Sequence, residues 1–107
     1  MVDPAIVIKV KEYVRRLSQD GLSVAFAVVF GSQATGRANA LSDIDLIVVS
    51  PQFDVEISRD AINMLWRVAA RTDSRIEPIP CGQNQWINNN TDAFLKIARN
   101  EGMTIAG

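Results

Sequence analysis

The chain has 107 residues, of which 48% are hydrophobic, and a net charge of −1 from 11 basic and 12 acidic side chains. This length predicts one domain, residues 1–107, with a single apolar core, and the hydrophobic content excludes a disordered chain. The near-balanced charge does not indicate a nucleic-acid groove or an anionic membrane surface.

Histidine is absent and the only cysteine is Cys81. This composition excludes histidine-dependent catalysis, disulfides within the chain and cysteine-rich zinc sites. We expect Cys81 to be a small structural residue, because no acidic or basic side chain is its neighbour in the sequence. No apolar run approaches the roughly 20 residues of a membrane span. The N-terminal residues also lack the order of regions of a signal peptide, so we predict a cytoplasmic protein without a membrane partner.

The N-terminal segment is predicted to be a helix followed by a strand. Asp3 and Pro4 are typical of a helix start, since a carboxylate caps the first free amides and proline is favoured at the first helical position. Gly21 is expected to end this helix. Apolar residues recur at helical spacing along one of its faces: Ile6, Val10, Tyr13, Val14 and Leu17. Residues 24–30 are apolar on both faces and predict a buried central strand.

The middle of the chain is predicted to contain a glycine-bearing loop, a second strand and a second helix. Residues 31–42 are small and polar, with one short helix after Ser32. Residues 44–49 predict a second buried strand, and residues 52–57 a connection. Residues 58–71 predict a helix that is capped by its first serine. Its inner face is expected to carry these residues: Ile62, Leu65, Trp66 and Ala69.

The C-terminal third is predicted to contain a third strand and a last helix. Residues 74–79 form the strand, and Pro78 places it near a sheet edge because proline cannot donate to the strand ladder. Residues 88–90 are expected to form a polar loop, and Thr91 to cap the last helix. Residues 103–106 add a short strand or fray. This order of elements predicts an α+β fold with a small mixed sheet of three to four strands flanked by helices.

Asp43 and Asp45 stand at the start of the second predicted strand, where apolar residues are expected. Their side chains point to the same face because they are two residues apart, with Cα atoms about 6.5 Å apart. Two carboxylates so placed repel each other and are costly to desolvate, and a divalent cation between them removes that cost. Magnesium prefers such oxygen ligands together with substrate phosphates. The pair alone leaves two interpretations open: a magnesium site, or a turn at Asp43 followed by a solvated strand end at Asp45.

Gly31 and Ser32 directly follow the first predicted strand. A glycine allows a phosphate to approach the backbone, and amides at a helix start attract an anion, to which the Ser32 hydroxyl could add a contact. A Gly-Ser pair after a strand is also typical of an ordinary turn. Adjacent strands would bring this turn and the acid pair together. Glu77, on the third strand, is then either a third metal ligand or a residue on the solvent side of an edge strand.

The sequence FGSQATGRA at residues 30–38, followed by LSDIDLIV at residues 41–48, resembles the signature of the DNA polymerase β-like nucleotidyltransferase superfamily. That signature consists of a Gly-Ser turn, a segment of small residues ending in glycine, and Ser-Asp-x-Asp before apolar residues. Within the superfamily, the chain resembles the minimal nucleotidyltransferase branch, whose members are single-domain proteins of about this length. The resemblance therefore implies the nucleotidyltransferase fold.

The resemblance also implies a role for each of these site residues. Asp43, Asp45 and Glu77 would hold one or two magnesium ions (Mg2+), and Glu77 would help to activate the acceptor hydroxyl. Gly31 and Ser32 would hold the triphosphate of ATP or another nucleoside triphosphate. The acceptor would attack the α-phosphate in line and pyrophosphate would leave, with two metal ions stabilising the attacking and leaving oxygens.

The chain departs from the family pattern in the glycine loop and at the third acid. Relatives often carry arginine directly after the Gly-Ser pair and again two residues later, where this chain has Gln33 and Thr35. Arg37 is the nearest basic residue, and it either contacts the phosphates or is a surface residue. Glu77 replaces the commoner aspartate and keeps a carboxylate on a longer arm.

Two functions from different classes are compatible with these residues. The first is an enzyme that transfers a nucleoside monophosphate, with AMP preferred, to an acceptor hydroxyl. The second is an antitoxin-like subunit that pairs with a helical partner of the HEPN (higher eukaryotes and prokaryotes nucleotide-binding) type, because many minimal relatives are encoded beside one. The acid set favours the enzyme, since a pure binding protein has no need of three carboxylates beside an anion-binding turn. We also expect a second chain, in a homodimer or with another protein, to complete the site, because a domain this small covers little of a nucleotide.

The two tryptophans are interpreted from their surroundings. Trp66 is predicted to lie in the core, because it belongs to the inner face of the second long helix. Trp86 lies in a polar stretch and is a candidate for contact with a base or a partner.

Overall fold

The computed structural model describes residues 2–39, 41–88 and 92–107. Within these residues the chain forms six helices and four strands. The helices are α1 (Pro4–Gln19), α2 (Ser32–Thr35), α3 (Gln52–Val55), α4 (Arg59–Thr72), α5 (Gln83–Asn88) and α6 (Ala93–Glu101). The strands are β1 (Phe26–Phe30), β2 (Ile44–Ser50), β3 (Ile76–Gly82) and β4 (Met103–Ala106). In the described part of the chain, no helix is long and apolar enough to span a membrane.

The four strands form one mixed sheet in the order β3-β2-β1-β4. β1 pairs antiparallel with β2 and with β4, whereas β2 and β3 are parallel and are connected through α3 and α4. β3 lies at an edge of this sheet, as the proline at position 78 predicts. Residues 103–106 pair with β1 as a strand and do not fray. The predicted class, α+β with a small mixed sheet flanked by helices, is therefore confirmed.

The core has two parts, because successive side chains along a strand point to opposite faces of the sheet. The first face packs against α1 and α4, and its buried residues on β2 are Ile44, Leu46 and Val48. The second face packs against α6 and carries a smaller cluster of buried residues: Val28, Phe30, Ile47, Val49, Cys81, Leu95 and Ala98. The alternation along β2 thus supplies both parts of the core from one strand.

α1 forms as its sequence predicts. Asp3 is the N-cap, and its Oδ1 accepts a hydrogen bond from the backbone N–H of Ala5 at 2.8 Å. The five apolar residues predicted to share one face are all buried. The Tyr13 hydroxyl donates to the carbonyl oxygen of Leu65 at 2.9 Å, and burial raises the pKa of Tyr13. This buried hydrogen bond fixes α1 against α4.

The buried face of α4 differs from the prediction. Ser58 caps the helix by accepting from the N–H of Ala61, as expected. However, Trp66 is 49% exposed and Ile62 is 36% exposed, so the prediction that Trp66 lies in the core is wrong. The buried residues are Leu65, Val68 and Ala69. Because successive residues of a helix turn by about 100°, the arc around Val68 is completed by Ala61 and Met64, which pack on the core, and Trp66 points away from it.

Several element boundaries also differ from the prediction. The expected connection after β2 contains α3, and α5 was not predicted at all. β1 starts at Phe26, and β3 covers residues 76–82, later than residues 74–79. The predicted cap Thr91 lies outside the described residues, as do residues 89 and 90 of the predicted loop. The N-cap of α6 is Asp92, whose side chain accepts from the backbone of Phe94 and Leu95.

Candidate active site

The strand pairing brings the predicted acids to one end of the sheet, where β1 ends and β2 and β3 begin. Phe30 is paired in register with Asp45, and Asp45 is paired with Glu77. Neighbouring strands lie about 4.8 Å apart, so Asp45 lies between the end of β1 and Glu77. Asp43 directly precedes β2 and is exposed, whereas Asp45 and Glu77 are half-buried.

The acids belong to the second face of the sheet. Asp45 alternates with Ile44 and Leu46, which are buried on the first face, and paired positions on adjacent strands point to the same side. Further along the strands, the same face is buried under Leu95 and Ala98 of α6. The carboxylates therefore lie at the end of the second face, beyond its apolar cluster.

Gly31 lies directly against the carboxylate of Asp45. Its backbone has φ 71° and ψ −146°, a region that side chains other than glycine rarely adopt. A Cβ atom at this position would lie 2.5 Å from Oδ2 of Asp45, which is too close for any real contact. Both the conformation and the contact therefore require glycine, and they place the Gly31–Ser32 turn beside the acids.

Glu77 has a raised pKa. Desolvation disfavours its ionised form, and so do the negative charges of Asp43 and Asp45. Neighbouring carboxylates repel each other when they are ionised, and a hard divalent cation bound to their oxygens removes that repulsion. The residues therefore fit magnesium. As the side chains stand, no three acidic or cysteine residues of the described ranges converge closely enough to enclose an ion. The strand register places Asp45 and Glu77 side by side, and rotation about side-chain bonds can close the set around a cation.

Gln33 connects the glycine turn with the residues before β2. The sequence did not predict this role for Gln33. The residue is buried in α2, and its Nε2 donates to the carbonyl oxygens of Ser42 and Asp43 at 3.3 Å each. From the sequence, Gln33 was only a departure from the arginine of relatives. The signal that could have identified it is an amide side chain, a donor for two acceptors, in a turn of helix that directly follows a buried strand.

The basic residues near the site have different surroundings. Arg37 follows the left-handed Gly36 and is exposed. Arg75 donates from Nη2 to Oδ2 of Asp73 at 2.8 Å, and its carbonyl oxygen accepts from the N–H of Ile44 at 2.8 Å. A groove of about 380 Å³ runs beside the turn and is lined by Asp3, Ile6, Gln33, Gly36, Ala38, Asn39 and Arg75. The sequence did not indicate Arg75 as a neighbour of this region, because the register between β2 and β3 brings it there.

The second face carries aromatic contacts on α5 and α6. The ring of Phe94 packs edge-on against that of Phe30, with centroids 4.9 Å apart. Trp86, the candidate for base or partner contact, is half-buried and packs against Phe26, with the Arg99 guanidinium 5.3 Å from its ring centroid. Arg99 also donates to the carbonyl oxygen of Trp86. Much of the Trp86 ring therefore contacts other residues of the same chain.

Cys81 has the structural surroundings that its sequence predicts. Its side chain is buried in the cluster of the second face. Burial raises the pKa of the thiol to about 11, which keeps it protonated at neutral pH.

Comparisons with known proteins identify the family and the fold of the chain. The sequence model of the nucleotidyltransferase domain matches residues 7–92 of the chain. The fold is similar to that of a protein inferred to be a nucleotidyltransferase from Sulfolobus solfataricus, with a TM-score of 0.66 and 17% identity over 92% of this chain and 77% of that one.

Two toxin-antitoxin structures are also similar to the fold. One was solved with AMP-PNP and gives a TM-score of 0.61 at 19% identity, over 90% of this chain and 72% of that one. The other is a mutant of the toxin-antitoxin MntA-HpeT, with a TM-score of 0.62 at 16% identity, over 94% of this chain and 73% of that one. At these identities the likeness shows the fold alone. No curated protein matches the chain by sequence.

Proposed function

Because this chain belongs to the nucleotidyltransferase domain family, we propose that it transfers a nucleoside monophosphate from a nucleoside triphosphate to an acceptor hydroxyl in a magnesium-dependent reaction, with AMP from ATP as the preferred donor. The observation that carries this proposal is the register that sets Asp45 between the Gly31 turn and Glu77. A triphosphate held on that turn would have its phosphates beside the carboxylates of two neighbouring strands.

The reaction is a displacement at the α-phosphorus. The acceptor oxygen forms a bond to this phosphorus as the bond between it and the oxygen bridging to the β-phosphate breaks. The electron pair of the broken bond leaves with pyrophosphate. The proton of the acceptor hydroxyl passes to the carboxylate of Glu77. Atoms and charges balance without a further reactant.

The side chains of the site have separate tasks in this proposal. Asp43, Asp45 and Glu77 hold magnesium, which when bound neutralises the phosphate oxygens and the three carboxylates. Gly31 has no side chain, and this lets the turn assigned to the phosphates lie directly against the Asp45 carboxylate. The Ser32 hydroxyl donates to a phosphate oxygen, and Arg37 adds a positive charge from its exposed position.

The proposal is tested by isothermal titration of ATP with magnesium into the wild type and into the double variant Asp43→Asn/Asp45→Asn. Asparagine keeps the size of each side chain and removes its charge, so we expect magnesium-dependent binding to weaken at least about 10-fold, or about 1.4 kcal/mol. Glu56→Gln is the matched control, since Glu56 is an exposed carboxylate after α3, at the other end of β2. Binding by the wild type that ignores magnesium or the double substitution would contradict the proposal.

A second candidate function is supported by the two toxin-antitoxin structures that share the fold. In this alternative the chain is an antitoxin-like subunit with weak or no independent catalysis, and its partner is a helical protein of the HEPN type. The outer side of α4 exposes Ile62 and Trp66, and aromatic residues are enriched at protein interfaces.

Co-expression with a helical protein encoded by the adjacent gene, followed by sedimentation, tests the alternative. A stable complex that weakens on Trp66→Ser but not on Asn63→Ser, a change at an exposed residue of the same helix, would support it. Sedimentation of the wild type as a monomer, alone, with ATP and with the co-expressed protein, would count against both this pairing and the predicted homodimer.

A further inference from the structure

Gln33 is a buried polar residue that joins two parts of the candidate site. Its side chain is 5% exposed, and its Nε2 donates to the carbonyl oxygens of Ser42 and Asp43, at 3.3 Å each. Gln33 directly follows the turn of Gly31 and Ser32, and its two acceptors are the last residues before β2. One side chain therefore connects the turn assigned to the phosphates with the start of the strand that carries the acids.

The backbone of Asp43 needs such a connection more than that of Asp45 does. Asp45 is paired within the sheet on both sides, with Phe30 and with Glu77. Asp43 precedes the strand, and the N–H of Ile44 donates to the carbonyl oxygen of Arg75, the residue before β3. Strand pairing thus fixes Asp45 but ends one residue short of Asp43.

The loop before Asp43 is held largely by bonds within itself. The N–H of Ser42 donates to the carbonyl oxygen of Asn39 at 3.1 Å, and the N–H of Asn39 donates to the Ser42 hydroxyl at 2.9 Å. The N–H of Leu41 donates to Oδ1 of Asn39 at 2.8 Å. These bonds shape the loop but do not attach it to α2, which is what the Gln33 amide does.

We propose that Gln33 is a positioning residue, whose two amide hydrogen bonds hold the backbone of Ser42 and Asp43 against α2 and set the distance between the Gly31–Ser32 turn and the Asp43 carboxylate. A side-chain amide suits this task because its nitrogen carries two hydrogens for two acceptors and no charge that must be buried. The consequence for nucleotide binding rests on the proposed function, whereas the attachment of the loop does not.

Gln33→Met tests the proposal, because methionine keeps the length and the apolar stem and removes both donors. Tyr13→Phe is the matched control. It removes another buried bond from a side chain to a backbone carbonyl, one that joins α1 to α4 rather than α2 to the loop before β2. We expect Gln33→Met to weaken binding of ATP with magnesium about 10-fold while changing binding of ATP without magnesium less than 2-fold. Tyr13→Phe should lower the thermal midpoint and leave both affinities unchanged.

Amide hydrogen exchange gives a second measurement that needs no nucleotide. We expect the amides of residues 42 and 44, which donate to the carbonyl oxygens of Asn39 and Arg75, to exchange at least about 10-fold faster in Gln33→Met than in the wild type, and to be unchanged in Tyr13→Phe. Equal exchange at these amides in all three proteins would overturn the proposal.

The two measurements separate this inference from the proposed function. If the wild type binds ATP with magnesium and Gln33→Met binds it equally well, the positioning role is wrong and the proposed function stands. If the wild type shows no magnesium-dependent binding, the proposed function is wrong. Hydrogen exchange then decides alone whether Gln33 holds the loop.

Discussion

The first face of the sheet is built for packing and the second carries the candidate chemistry. Among the described residues, the first face buries 18 residues in one cluster with α1 and α4, whereas the second buries seven. The charges are divided as well, since α1 and α4 contain seven of the 11 basic and two of the 12 acidic residues. The three candidate acids lie on the second face.

This difference shows how a small domain can keep an unfavourable group of charges. Each fully buried aliphatic side chain contributes about 1.5–3 kcal/mol of hydrophobic free energy, so the larger cluster supplies most of the stabilisation. The second face can therefore end in half-buried carboxylates, such as Glu77, whose pKa is raised by desolvation and by the charges of Asp43 and Asp45. Substitutions on the first face should then change stability, and those at the end of the second should change binding.

The largest expected effect on the free energy of unfolding comes from replacing a buried leucine by alanine in each of the two clusters. Leu65→Ala on the first face should destabilise the protein by about 3–5 kcal/mol, because the surrounding helices cannot close the cavity. Leu95→Ala is the matched change on the second face, and we expect a loss nearer 2 kcal/mol, since fewer neighbours surround it. Urea unfolding of both variants measures the difference. An equal or larger loss for Leu95→Ala would remove the contrast between the faces.

Alanine substitutions at two glycines with similar φ angles test whether the contact between Gly31 and the Asp45 carboxylate matters for stability and binding. Gly31→Ala should cost about 2–3 kcal/mol and abolish magnesium-dependent ATP binding, because it adds strain and pushes on the Asp45 carboxylate. Gly36→Ala should cost about 1 kcal/mol and keep binding, since its φ is 77° but a Cβ would meet nothing within 4 Å. Thermal unfolding and titration calorimetry give both quantities. Equal behaviour of the two variants would show that the contact with Asp45 has no consequence.

A smaller effect is expected where α3 supports the second face. Asp54 accepts from the N–H of Asn84 at 3.0 Å and from that of Gln85 at 3.5 Å, and so caps the start of α5. Asp54→Ala should therefore cost about 1 kcal/mol, with Glu56→Ala as a neighbouring exposed control that costs less than 0.5 kcal/mol. Chemical denaturation measures both. If the two variants lose the same stability, the Asp54 carboxylate does not cap α5.

The smallest effect concerns the turn between α4 and β3. The Arg75 guanidinium hydrogen-bonds Asp73 and holds the pKa of that carboxyl below its usual range. A carboxylate whose folded pKa is lowered contributes stability above its unfolded pKa of about 3.9, and the contribution is lost as pH falls through the folded pKa. Arg75→Gln should cost less than about 1 kcal/mol at pH 7 and flatten the loss of stability below about pH 4. Urea unfolding at pH 7 and pH 3 checks this, and parallel curves for both proteins would contradict it.

Local sequence patterns correctly predicted the features that depend only on residues close in the sequence. Asp3 and Pro4 predicted the start of α1, and the spacing of its apolar residues predicted its buried face. Ser58 predicted the start of α4. The buried residues of β2 followed from an apolar run that packs on both sides. These predictions held because capping and periodicity act over a few residues.

The failures share one physical cause, which is a partner distant in the sequence. Two overlapping apolar arcs exist on α4, and packing against α1 selected the one that leaves Trp66 exposed. α5 has a polar sequence, and its first amides are capped by Asp54, 30 residues earlier in the chain. No local pattern carries such information.

The sequence by itself determined the signature that places the chain in its family and the identity of Gly31, Ser32, Asp43, Asp45 and Glu77 as candidate site residues. Only the tertiary structure decided that Asp45 lies between Gly31 and Glu77, and that Gln33 reaches the loop before β2. The physical reason is strand register. A shift of one residue would turn every side chain of a strand to the opposite face, and register is set by packing across the whole sheet.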